Sequence, residues 1–99
     1  VYKLIRNKYK DIIPKEKLSI VSPNDSPIQY KKFLIDKVHE ELDELAETDY
    51  TDISEFADIY EVFLTIMKIQ GITEHEVREA RLDKLKQRGS FSNGLLLQY

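Results

Sequence analysis

Apolar residues recur at helical spacing along three stretches of this chain. From Pro27 to about Thr48, Leu34, Val38, Leu42 and Leu45 share one face, with Ile35 at its side. Ser26 is placed to cap this helix, and Pro27 suits its first position. A second helix is expected over about 52–70, with Thr51 or Asp52 as cap and Gly71 as terminator. A third is expected over about 74–88: Thr73 and Glu76 form a capping box, and Gly89 ends it. The connections are only a few residues long, so the helices should be antiparallel neighbours.

The flanks are less regular. Residues 1–13 mix Leu4, Ile5, Ile12 and Ile13 with basic side chains before Pro14, as in a short helix or a turn-rich arm. Lys17 to Val21 alternates weakly, as in a short strand or an extended piece, and Pro23-Asn24-Asp25 turns the chain. The tail from Ser90 carries the apolar run Leu95-Leu96-Leu97. No internal repeat is present.

The second helix is unusual in its distribution. Phe56, Ala57, Ile59, Tyr60, Val62, Phe63, Leu64, Ile66, Met67 and Ile69 cover almost its whole circumference, leaving one polar strip through Glu55, Asp58, Glu61, Thr65 and Lys68. A helix apolar nearly all round requires burial, and three helices of one subunit cannot surround it. A partner subunit is the expectation.

Composition narrows the class. Ninety-nine residues suit a single domain, taken as 1–99, and 41% hydrophobic with 33% charged residues is a globular balance. A net charge of −3 gives no footprint for nucleic acid. Without cysteine there are no disulfides or thiolate metal sites. The longest apolar run is too short for a bilayer, and no signal-peptide pattern opens the chain. A soluble cytoplasmic protein without a membrane partner is expected, with a few residues preceding Val1 in the full gene product.

Two acidic pairs stand three residues apart: Glu41 with Glu44, and Glu55 with Asp58. Each pair occupies one helix face, and antiparallel packing would let both converge on one hard divalent cation, magnesium or manganese. Acidic residues at such spacing are mostly solvated faces, and 18 Asp plus Glu produce pairs by chance. Against that, Glu41 falls at the edge of the apolar face of its helix, where desolvation is costly without a partner. Glu40 and Asp43 are expected to face solvent, and His39 and His75 to be surface residues. Arg78, Arg81, Lys84 and Arg88 form a basic stripe on the third helix, suited either to surface ion pairs or to phosphate oxygens.

The run Glu40-Glu41-Leu42-Asp43-Glu44 reads EExxE, and Glu55-Phe56-Ala57-Asp58 reads ExxD. Together they resemble the signature of the all-alpha nucleoside triphosphate pyrophosphohydrolases, the MazG-like group that includes phosphoribosyl-ATP pyrophosphohydrolase. The opening KLIRNKYKDIIP, the segment EFADIYEVFLTIMKIQGIT and the ending EVREARLDKLKQRGSF are similar, in order, to stretches of a small-protein branch of that group. The resemblance implies an all-α antiparallel bundle completed by oligomerisation, as a homodimer or homotetramer. It implies metal ligands at Glu41, Glu44, Glu55 and Asp58, acting catalytically through the ion, with phosphate contacts at Lys84 and Arg88 and at Arg6 and Lys8 in the opening motif. The activity implied is magnesium-dependent cleavage of a nucleotide between its alpha and beta phosphates, in a house-cleaning role. The alternatives are action on phosphoribosyl-ATP, or a helical oligomeric binding module that has lost turnover. Asn7 and Ser90 depart from the group's aspartate and second glycine, and the spacing between the acidic motifs is short.

Overall fold

A computed structural model describes all residues, 1–99, and contains helices and no strand. Helix α1 spans Pro27–Glu47, α2 Ile53–Ile69 and α3 Glu74–Arg88. Two short 3₁₀ turns, Asn7–Asp11 and Lys15–Lys17, precede them. The opening stretch is therefore an arm containing one helical turn. Leu18 is extended, so the segment after Lys17 is an extended piece and not a strand. No helix is long and apolar enough to cross a membrane.

The chain forms two compact units, Val1–Ile66 and Met67–Tyr99, the division falling in the last turn of α2. In the first unit the core is small: Leu34, Leu45 and Ile59 are the buried apolar residues. Glu41 is buried with them, 4% exposed. It therefore lies within the packed seam of α1, not at its edge. Leu42 and Ile35 turn out of that seam and remain 44% and 50% exposed. The same rotation applies to α2. Its half-buried side carries Glu55, Asp58, Val62 and Thr65 around Ile59, while Phe56, Tyr60 and Phe63 stay about half exposed. Part of the polar strip thus faces inward, and much of the aromatic surface faces out of the single chain.

The helix ends follow local chemistry. Asp52, not Thr51, caps α2, its Oδ1 accepting from the Ser54 amide at 2.8 Å. Thr51 Oγ1 instead donates to the Thr48 carbonyl. Ser26 makes no side-chain cap, so the start of α1 rests on Pro27 at its first turn. The Ser26 amide donates to the Ser22 carbonyl. In the second unit, Thr73 and Glu76 form the expected capping box of α3, and Gly89, at φ 79°, closes it. That helix has no buried residue, and Leu95, Leu96 and Leu97 in the tail are also exposed.

The turn between α1 and α2 is strained. Asp49 and Tyr50 both take left-handed backbone conformations, with φ of 56° and 62°. The first lets the Tyr50 amide donate to the Leu45 carbonyl at 3.0 Å, and the second continues the tight reversal. Aspartate tolerates this region; an aromatic residue does not favour it. Tyr50 is 63% exposed, so its ring contributes little packing in return. Tyr50→Gly should therefore stabilise the protein by about 0.5–1 kcal/mol, after allowing for glycine's greater freedom when unfolded. A denaturant midpoint unchanged or lowered in that variant would contradict this account of the turn.

Candidate metal centre

The short reversal sets the register of the two helices. Glu44 on α1 comes beside Glu55 on α2, and Glu41 beside both Glu55 and Asp58. Residue numbers rise along one helix as they fall along the other, which is the antiparallel arrangement. Oxygens of Glu41, Glu55 and Asp58 all lie within 4.8 Å of one another, as do those of Glu40, Glu41 and Glu44. The four residues singled out by their spacing are thus gathered at one seam, with Glu41 common to both groups.

Glu40 is a fifth member, half-buried rather than solvent-facing, whereas Asp43 is exposed. Lys37 Nζ donates to Glu40 Oε2 at 2.9 Å and lies 3.2 Å from Glu41 Oε1. Lys3 Nζ reaches Glu40 Oε1 at 3.0 Å. From the arm, Arg6 Nη2 donates to Asp58 Oδ1 at 2.6 Å. Lys37 and Lys3 were not among the residues expected at the site. Lys37 is legible in retrospect, since it precedes Glu40 by three positions and Glu41 by four, the helical ion-pair spacings. Lys3 carries no such signal, because its contact spans 37 positions.

These cations do not satisfy the cluster. Glu41 Oε2 and Glu55 Oε2 are buried and have no hydrogen-bond partner. Unpaired buried carboxylate oxygens are costly, and adjacent like charges add to the cost. A shared proton or a shared cation relieves both. Protonation is favoured accordingly. The contact with Glu41, favourable only through a shared proton, pushes the Glu55 carboxyl up to about 7, with burial and the charges of Glu41, Glu44 and Asp58 adding to the effect. Burial, then Glu41 and Glu40, also raise Glu44. Burial would raise Glu40 too, but Lys37 and Lys3 outweigh it and hold that carboxyl below its ordinary range.

Hard oxygen donors without sulfur or imidazole suit magnesium or manganese. His39 and His75 are both exposed, and neither belongs to an acidic group capable of holding an ion. Lys8 is exposed on the 3₁₀ turn of the arm and makes no ion pair with the cluster. Lys84 and Arg88 belong to the second unit, where both are exposed on α3. Comparison with protein-family models, curated proteins and solved structures finds no match to this chain.

The raised carboxyls give the metal-free protein a pH signature. Between the ordinary glutamate value of 4.5 and about 7, the folded chain keeps the Glu55 proton that the unfolded chain has lost. Stability from this group is fully present below pH 4.5 and declines as pH rises to about 7. Glu44 contributes in the same direction, and Glu40 in the opposite direction at lower pH. In the presence of a chelator, Glu55→Gln should flatten the fall in melting temperature across this window and leave the variant more stable than wild type near pH 8. A fall of equal steepness in both proteins would show that Glu55 is not strained by its neighbours.

Proposed function

We propose that this chain is a magnesium-dependent nucleotide pyrophosphohydrolase subunit of the all-α, MazG-like kind, acting in the cytoplasm as a homo-oligomer. The observation that carries the reading is the pair of buried, partnerless oxygens on Glu41 and Glu55, where two acidic pairs from two helices meet. Charge count supports it. Glu40, Glu41, Glu44, Glu55 and Asp58 bring five negative charges, and Lys3, Arg6 and Lys37 bring three positive ones. The remaining two match one divalent ion.

Glu41, Glu55 and Asp58 would hold the ion, with Glu44 beside them. Such an ion supplies charge neutralisation on phosphate oxygens and an acidified water. The chain's own residues then orient the triphosphate and stabilise the negative charge that grows as the bond between the alpha and beta phosphates breaks, giving a nucleoside monophosphate and pyrophosphate. Lys84, Arg88, Arg6 and Lys8 are the cations assigned to the phosphates. A nearly exposed third helix and half-exposed Phe56, Tyr60 and Phe63 are what a subunit designed to pack against another copy would present. The reading with phosphoribosyl-ATP as substrate shares this chemistry. A binding module without turnover is favoured by one observation, the Arg6–Asp58 pair, which already neutralises one proposed ligand.

Pyrophosphate release from a panel of canonical and modified nucleotides with magnesium tests the proposal. Wild type should turn over at least one of them, and Asp58→Asn should lose about 100-fold or more in rate with its helical content unchanged. Lys84→Ala and Arg88→Ala should each lower kcat/KM by roughly 10- to 1,000-fold. Unaltered kinetics in both would return these residues to ordinary surface charges. Light scattering at micromolar concentration should give at least a dimer, and a stable monomer would refute the assembly. No release from any nucleotide, with magnesium bound, would favour the binding module.

A further inference from the structure

The arm that supplies Arg6 is attached in an unusual way. The backbone of residues 1–5 makes no hydrogen bond to another backbone group, and the first such bond of the chain runs from the Tyr9 amide to the Arg6 carbonyl. Val1, Tyr2 and Ile5 are exposed, and Leu4 is half-buried. What fastens the arm is a pair of ion pairs to different helices, Lys3 to Glu40 on α1 and Arg6 to Asp58 on α2. It lies across the acidic seam as a strap.

The two pairs are not equivalent. Glu40 already has Lys37, so Lys3 is its second cation. Arg6 is the cation held by Asp58, and Asp58 is one of the three residues whose oxygens gather around the partnerless oxygens of Glu41 and Glu55. Within that triad Glu41 shares Lys37 with Glu40, Glu55 has no ion pair, and Arg6 serves Asp58 alone. Its side chain is 54% exposed, against 31% for Asp58. An ion pair so open to water is weak, even with the short charge-assisted bond, and exchanges readily.

We propose that Arg6 is a resident stand-in for the divalent ion: it occupies Asp58 while the seam is metal-free, and entry of the ion displaces it together with the strap. The inference rests on the metal reading above and extends it to regulation of the same site. The exchange adds positive charge to an acidic seam, since a divalent ion replaces a singly charged guanidinium. Asp58 trades a guanidinium for the ion, and the guanidinium is released beside it, free to take a phosphate oxygen that arrives with the ion. Metal and anionic substrate then favour one another's binding, since each takes a partner that the other vacates. A metal–phosphate complex fits this site better than either component alone. The strap also limits adventitious occupancy by free cations.

Manganese serves as the probe, its free concentration followed by its electron spin resonance signal, with no nucleotide present. Arg6→Gln removes the competitor and should tighten manganese binding by roughly 3- to 10-fold. Lys10→Gln removes one cation from the same arm at an exposed position outside the ion pairs, and should bind within about twofold of wild type. Equal affinities in the two variants, or weaker binding in Arg6→Gln, would overturn the displacement while leaving the metal site standing. Failure of wild type itself to bind manganese would remove the metal reading, and the stand-in with it.

Discussion

Like charges held together in a packed seam are the constraint on which this molecule turns. Glu41 is as buried as Leu34 and Leu45, the two leucines that define the core of α1. A leucine at that position would be the ordinary solution for stability. Instead the chain places a carboxylate there and sets Glu55 and Asp58 against it from the neighbouring helix. Three cations converge in response, one from within α1 and two from the arm. Even so, two buried oxygens remain without partners. Arrangements of this kind are destabilising in themselves and concentrate at functional sites.

The rest of the fold follows from serving that seam. A left-handed reversal at Asp49 and Tyr50 brings Glu44 level with Glu55, at the cost of an unfavourable backbone conformation for tyrosine. Rotation of α2 to present Glu55 and Asp58 inward leaves Phe56, Tyr60 and Phe63 half exposed. Polar groups thus occupy the position where apolar ones would build a single-chain core, and the displaced aromatic surface stays half exposed. The helix does not bury both sides within one chain.

Much of the framework was legible in local pattern. Helical spacing located three helices within a residue or two, and the Thr73–Glu76 capping box and Gly89 stop are as read. The acidic pairs were legible because three-residue spacing and a short loop leave little freedom in where two antiparallel helices can place them. What escaped was rotation about the helix axes. Leu42 and Glu41 are neighbours in sequence, and apolar periodicity assigned the leucine to the face and the glutamate to its edge, whereas the seam does the reverse. The cost of burying Glu41 is visible only once its surroundings are known. Lys37 lies four positions away, but Glu55 and Asp58 come from the other helix, and Lys3 and Arg6 reach Glu40 and Asp58 from 37 and 52 positions away. No local signal marks a long-range ion pair. Capping at Ser26 also failed to follow its residue type: its side chain makes no cap hydrogen bond.

The seam's cations come in part from a weakly held arm and not from the helices alone. A permanent set of buried lysines would neutralise the carboxylates and leave nothing to bind. An exchangeable set would keep the cluster folded without a ligand and leave it able to take one, as the proposal requires. The central claim is that the buried carboxylates around Glu41 are a divalent-cation site. It is tested most directly by the melting temperature of the wild-type protein and of Glu41→Gln against increasing magnesium at pH 8. A saturable rise in wild type that is absent in the variant is the predicted result. An equal rise in both, or none in wild type, would contradict it.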